Sequence, residues 1–132
     1  MSLEDNKKIA TTDVLCVGPE TLEEKLGYYA IDAVVWDSVM RVAGYAENNV
    51  ASGFDEVKEF FTWLANLPPV NVKIQNVFGE SDKVAVEWLL MGGEGDSKFE
   101  VPCANIYDFK DGKIKSVRMH FDSAYFAEII GK

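Results

Sequence analysis

The chain is short of cysteine, histidine and positive charge, and each shortage excludes something. Its two cysteines, Cys16 and Cys103, are too few for a disulfide framework and form no metal-ligand spacing. A reducing compartment, the cytoplasm, is therefore expected, and no metal site is implied. Thirteen Lys and Arg stand against 22 Asp and Glu, a formal net charge of −9. Such a surface repels phosphate backbones and anionic headgroups, so neither nucleic acid nor a membrane surface is an expected partner. No apolar run of 18 residues occurs, and the start, Met1-Ser2-Leu3-Glu4-Asp5, is acidic rather than basic-then-apolar. Neither a membrane span nor a targeting segment is expected. There is no internal repeat and no low-complexity linker.

What is present suffices for one sizeable core: 132 residues, 48% of them apolar and 12% aromatic. A single domain over residues 1–132 is expected. From Asn6 to Val17, Ile9, Ala10, Val14, Leu15 and Cys16 fit an amphipathic helix ending near Gly18. Pro19 opens a second helix on Leu22, Leu26 and Tyr29, with Glu20, Glu23 and Glu24 near its positive end. Asp32 to Asp37 reads as a short β-branched and aromatic strand ending in a carboxylate, and residues 40–52 as a loop. Ser52 and Asp55 announce a third helix with a stripe of Phe54, Val57, Phe61 and Leu64, closed by Leu67-Pro68-Pro69. Beyond the prolines the period falls from 3.6 to 2. Val70, Val72 and Ile74 alternate with polar residues, Val84 to Met91 follows, and Asp111-Gly112 marks a hairpin. Helices first and strands afterwards predict an α+β domain, its helices packed on one face of a curved antiparallel sheet that leaves a cone.

The segment Tyr29-Ala30-Ile31-Asp32-Ala33-Val34-Val35-Trp36-Asp37 resembles the entry to the first strand in the NTF2-like superfamily, in its ketosteroid-isomerase and SnoaL-like branch. Gly53 to Phe61 is similar to that family's next helix, and Ile106 to Ile114 to its last hairpin. The resemblance spans nearly the whole chain. It implies that Asp37 stands where ketosteroid isomerases keep the carboxylate that moves the proton. It places Asn105 where they keep a protonated aspartic acid of the oxyanion hole, the handling of which is a standard example of a neutral buried acid. Tyr29 matches a tyrosine of the supporting hydrogen-bond network, Phe61 stands in place of a second one, and residues 1–27 contain no tyrosine. The chain is also similar to the limonene-epoxide hydrolases, but Trp88, Leu90 and Met119 occupy the positions of their catalytic arginine and aspartates. Met119 also falls where SnoaL-like cyclases keep a catalytic acid.

Strand parity gives the rest of the candidate site. From Phe99 to Phe109 a period of two places Val101, Cys103, Asn105 and Tyr107 on one face. On the last strand Ile114, Ser116, Arg118, His120 and Asp122 share one face and Val117, Met119 and Phe121 the other, which by the family's parity lines the cone. Arg118, the sole histidine His120 and Asp122 are then an outer polar patch rather than a triad, unless a bulge resets the register. A carboxylate at the mouth of an apolar cone can serve as a base because desolvation raises its pKa. The expectation is a cofactor-independent isomerase or cyclase acting on an apolar, carbonyl-bearing steroid-, polyketide- or terpenoid-like ligand. Asp37 would shuttle the proton and Asn105 polarise the oxygen, with Tyr29, Trp36, Phe61, Trp88, Val101, Cys103, Tyr107, Val117, Met119 and Phe121 around the ligand. No metal or organic cofactor is called for, and the family implies a homodimer. Two other readings stay open: a ligand-binding or protein-interaction module without a reaction, and an epoxide hydrolase or hydratase acting through water. For Asp37 itself the plain alternative is a solvated strand end, and for Asn105 a satisfied buried amide that braces its sheet.

Overall fold

The computed structural model describes residues 2–130; residues 1, 131 and 132, the ends of the expected domain, lie outside them. Helix α1 covers Leu3–Leu15. It starts three residues earlier than the apolar pattern implies because Ser2 caps it: Ser2 Oγ accepts the Asp5 N–H at 3.1 Å and the Asp5 carboxylate reaches back to Ser2. A 3-10 turn at Pro19–Thr21 leads into α2, Leu22–Gly27. Tyr29, expected to end that helix, instead begins strand β1, Tyr29–Asp37. The segment expected as a loop contains a helical turn, α3 (Val39–Val42), and a short strand, β2 (Val50–Ser52). Helix α4, Phe54–Ala65, starts behind Gly53 at φ 87°, a left-handed conformation in which glycine pays no Cβ penalty. Ser52, expected as its cap, donates its backbone N–H to Glu56 Oε1 instead. Four long strands follow, β3 (Asn71–Glu80), β4 (Lys83–Gly92), β5 (Phe99–Lys110) and β6 (Lys113–Phe121), then α5, Ser123–Ile130, which the periodicity had not indicated.

The strands form one sheet in the order β2-β1-β6-β5-β4-β3. Neighbours run antiparallel except β1 beside β6, which is parallel. The β5–β6 hairpin turns on Asp111 (φ 52°) and Gly112 (φ 79°), two successive positive φ values that match the strands' right-handed twist. Helices α1 and α4 pack on the sheet, α1 against β3 and β4 and α4 against β1 and β2. Between helices and sheet lies a core that includes Met40, Phe60, Phe61, Val35, Tyr107 and Val117, all nearly or wholly sealed from solvent. This is the expected α+β architecture, an open sheet with helices packed on it.

The parity expected on β5 holds, with Val101, Cys103, Asn105, Tyr107 and Phe109 buried. On β6, Val117 and Met119 are buried as expected, but Ile114 is buried too. Asp108 pairs with Ser116 while Phe109 pairs with Ile114, so Lys115 is an extra residue in β6. That bulge flips the start of the strand and turns Ile114, placed by simple alternation on the outer face, into the core.

Candidate functional site

Asp37 closes β1 with its side chain on the inner face, 4% exposed. It lies there because Val35 and Ala33, two and four positions earlier, are buried on the same face. Opposite Asp37 in β6 stands Met119, and opposite Met119 in β5 stands Asn105, followed by Val86 in β4 and Val77 in β3. Asp37 and Asn105 thus occupy one transverse row, two strand spacings or roughly 10 Å apart along the sheet, with Met119 between them.

The polar partners of the two differ sharply. Asp37 Oδ1 accepts the backbone N–H of Val39 at 2.9 Å, a contact local to the start of α3. Its other oxygen accepts no hydrogen bond from the described residues. Nor is it a sealed atom, for the one fully buried side-chain oxygen or nitrogen left without a partner among them is Asn6 Oδ1. The free oxygen of Asp37 therefore borders space that water can enter. Burial pushes this carboxyl from 3.8 up to about 7, opposed by the Val39 N–H and the charge of Lys25. An acid with that pKa takes and gives protons at neutral pH.

Asn105, 2% exposed, belongs to a different network. Trp88 Nε1 donates to its Oδ1 at 3.0 Å, and its Nδ2 donates to Tyr107 Oη at 3.1 Å. Tyr107 in turn donates to Asp13 Oδ2 at 2.6 Å, and Tyr29 to the same oxygen at 3.0 Å. Lys25 Nζ lies 3.0 Å from Asp13 Oδ1 and 2.9 Å from the Asp13 carbonyl oxygen. Burial, and then the adjacent Asp13, push both phenols well above their usual range, so they are donors. Asp13, with no exposed surface, is the hub. Neither it nor Lys25 was singled out from the sequence. A signal existed: Asn6, Ala10, Asp13 and Val14 fall at helical spacing on the buried stripe of α1, and a polar residue on an apolar stripe asks for a partner.

Most of the expected lining meets on this inner face. Trp88 pairs across strands with Cys103, and Cys103 with Phe121, forming the next row beyond Asp37 and Asn105. Val101, Val117, Tyr107 and Phe61 are buried in the core, Phe61 edge-on to Tyr29 at 5.1 Å between ring centres. Burial pushes the Cys103 thiol up to about 12, which suits a core residue and not a nucleophile. Trp36 is not brought together with them. One residue from Asp37 in a strand, it points to the opposite face, where its ring lies 5.3 Å from that of His120. Arg118, His120 and Asp122 do not converge either: Arg118 lies 3.9 Å from Asp108, and Asp122 accepts the Tyr125 N–H at the start of α5. Two surface hollows, of about 360 and 470 Å³, lie elsewhere, one beside Asn6, Asp82 and Asp111 and the other beside Met91, Phe99 and Tyr125. Neither is lined by Asp37 or Asn105.

An open curved sheet, helices closing its inner face and an acid at the end of its first strand define a cone of the NTF2-like class. Within that class the chain belongs to the SnoaL-like domain family, whose model matches residues 16–117. Among solved structures it is similar to an NTF2-like protein of unknown function from Burkholderia pseudomallei, at 17% identity, TM-score 0.81 and 100% of each chain. It is similar as well to TerC co-crystallised with polyporic acid, at 16% identity, TM-score 0.80, 97% of this chain and 99% of that one. A third likeness is to a protein from Jannaschia assigned by likeness as a SnoaL-like polyketide cyclase, at 16% identity, TM-score 0.77, 98% of this chain and 95% of that one. At such identities these likenesses speak to the fold. No curated protein matches the sequence. No helix among the described residues is long and apolar enough to cross a membrane.

Proposed function

We propose that the protein is a small cofactor-independent enzyme that moves a proton on an apolar, carbonyl-bearing ligand of the steroid, polyketide or terpenoid type. Asp37 carries this reading: an almost wholly buried acid with a single local hydrogen bond and a pKa of about 7. A base is most effective when its pKa lies near the working pH, because it is then both available and driven to transfer. In this scheme Asp37 removes a proton α to the carbonyl and returns it elsewhere. The uncommitted N–H of Asn105 supports the oxygen on which charge develops, and Trp88, Cys103, Met119 and Phe121 offer apolar contact. That one similar structure is assigned by likeness as a SnoaL-like polyketide cyclase is in keeping with the ligand class. The protein would act in the cytoplasm, and the outer sheet row of Val50, Trp36, Arg118, Ile106 and Phe78 would meet a second copy of the chain.

Exchange of the α-protons of 2-tetralone for deuterium, followed by proton NMR, tests the reaction without knowledge of the natural substrate. The protein should accelerate exchange above the buffer rate, with kcat/KM rising through about pH 7 as Asp37 becomes a base. Asp37→Asn should lower the rate by about 100-fold or more, the range of a lost general base. Equal rates in the two proteins would end the assignment.

A second reading is a ligand-binding module without chemistry. The commitment of Asn105 to Trp88 and Tyr107 favours it, since an amide tied into its own sheet has less to offer a ligand. Under this reading 2-tetralone binds wild type and Asp37→Asn alike, and neither protein exchanges it.

A further inference from the structure

We infer that Asp13 is a positioning residue: acting through Tyr107, it fixes the orientation of the Asn105 amide, so that the group left free for a ligand is an N–H and not the oxygen. The inference rests on the role proposed for Asn105 and adds a residue from α1 to it.

The hydrogens along this chain have no choice of direction. At one end the indole of Trp88 can only donate, so the Asn105 atom 3.0 Å from Nε1 must be the amide oxygen. The NH2 group then faces Tyr107, whose oxygen accepts one N–H at 3.1 Å. Having accepted, the phenol sends its own proton to Asp13 Oδ2 at 2.6 Å. At the far end Asp13, paired with Lys25 at 3.0 Å, only accepts. A donor-only group and an acceptor-only group therefore close the chain with the same polarity. Exchanging the oxygen and nitrogen of Asn105 would set two N–H groups against each other at Trp88 and leave the Tyr107 oxygen without a donor. One of the two N–H bonds on Nδ2 is spent on Tyr107. The other has no partner among the described residues, on the sheet face and in the row that hold Asp37.

Fold stability alone is a poor reason for Asp13 to be there. A buried ion pair can usually be replaced by apolar residues of similar volume with no loss, because desolvating two charges offsets much of their attraction. Asp13 also accepts from Tyr29 at 3.0 Å on the same oxygen, but Tyr29 leads no further toward Asn105. The two phenols thus make a matched pair: equal in chemistry, both buried, both bonded to Oδ2, with one connected to the amide and the other not.

The experiment compares Tyr107→Phe with Tyr29→Phe, each of which removes one hydroxyl from Asp13. The readouts are the side-chain amide resonances of Asn105 in a ¹⁵N-labelled protein, and kcat and KM for α-proton exchange of 2-tetralone. Tyr107→Phe should move both Asn105 amide protons and lower kcat at least ten-fold with KM within two-fold. Tyr29→Phe should leave those resonances in place and keep kcat at least five-fold above that of Tyr107→Phe. Asp13→Asn should follow Tyr107→Phe where it folds, and the phenylalanine variants decide the matter where it does not. Similar resonance shifts and similar rates in the two tyrosine variants would overturn the inference and leave Asp13 a structural residue. If wild type exchanges no 2-tetralone while the Asn105 resonances move in Asp13→Asn as in Tyr107→Phe and stay in place in Tyr29→Phe, the orientation of the amide by Asp13 stands and the proton-transfer reading fails.

Discussion

Asp13 and Asp37 are both removed from water, one on the first helix and one at the end of the first strand, and the protein treats them in opposite ways. Asp13 receives two phenolic hydroxyls and an ammonium. Asp37 receives one backbone N–H from two residues away. The first is a carboxylate whose lost hydration has been replaced by side chains from α2, β1 and β5, so it ties helices to sheet. The second has lost most of its hydration in exchange for a single backbone N–H, and the cost appears as a pKa of about 7. Burial by itself therefore says little about an acid. What matters is how many donors the fold aims at it, and a fold that can satisfy one aspartate so fully leaves another unsatisfied where chemistry would use it.

Removing each carboxylate sharpens the contrast. Asp13→Ala leaves Lys25, Tyr29 and Tyr107 without their common acceptor in a sealed site, and stability at pH 7 should fall by about 3–5 kcal/mol in urea unfolding, the range for breaking a buried pair. Asp37→Asn should act with the opposite sign. The raised pKa means that between about pH 4 and pH 7 the native state holds a proton that the unfolded chain has released. The stability contributed by this proton on Asp37 is therefore fully present below about pH 4 and is lost as the pH rises through about 7. An amide cannot titrate and still accepts from Val39, so the variant should escape this loss. Its gain over wild type should be near zero at pH 4 and about 4 kcal/mol at pH 9, from about 1.4 kcal/mol per pH unit over the interval from 3.8 to about 7. A gain that does not vary with pH would mean that Asp37 has partners that offset its burial.

Most of the order of elements could be read in the sequence because local signals set it: Pro19, the double proline after α4, the change of period near Val70 and the Asp111-Gly112 turn each act within a few residues, whereas α3, β2 and α5 carry no such signal. The inward faces of β5 and of most of β6 followed from alternation, as did Asp37 from the resemblance around Tyr29 to Asp37. Three further features did not follow. The burial of Ile114 depends on the extra residue at Lys115, a matter of pairing with β5 that β6 does not encode alone. Tyr29 changes from helix to strand because β1 pairs with β6, opposite Ile114, far along the chain. Asp13 was passed over because its partners come from residues 25, 29 and 107, and nothing nearby in sequence announces them. Trp36 was open to correction from the sequence: its parity with Asp37 excludes it from the same face.

A third aspartate, Asp108, extends the comparison to the surface. Lys83, Ser116 at 3.0 Å and Arg118 at 3.9 Å surround it on the outer face of β5. Partial burial pushes its pKa up, but the contacts with Lys83 and Ser116 outweigh this and hold it below the usual value. Its partners resemble those of Asp13 in kind, a cation and a hydroxyl, but here water competes for every contact. Exposed pairs of this sort are worth little, because high dielectric weakens the attraction and long side chains lose freedom on being held. Arg118→Ala should therefore change the urea midpoint by no more than the equivalent of about 0.5 kcal/mol, and less again in 1 M salt, where charges are screened within about 3 Å. A loss approaching that of Asp13→Ala would require Arg118 and Asp108 to be covered in solution, which would itself point to a second copy of the chain seated on the outer face beside Trp36 and His120.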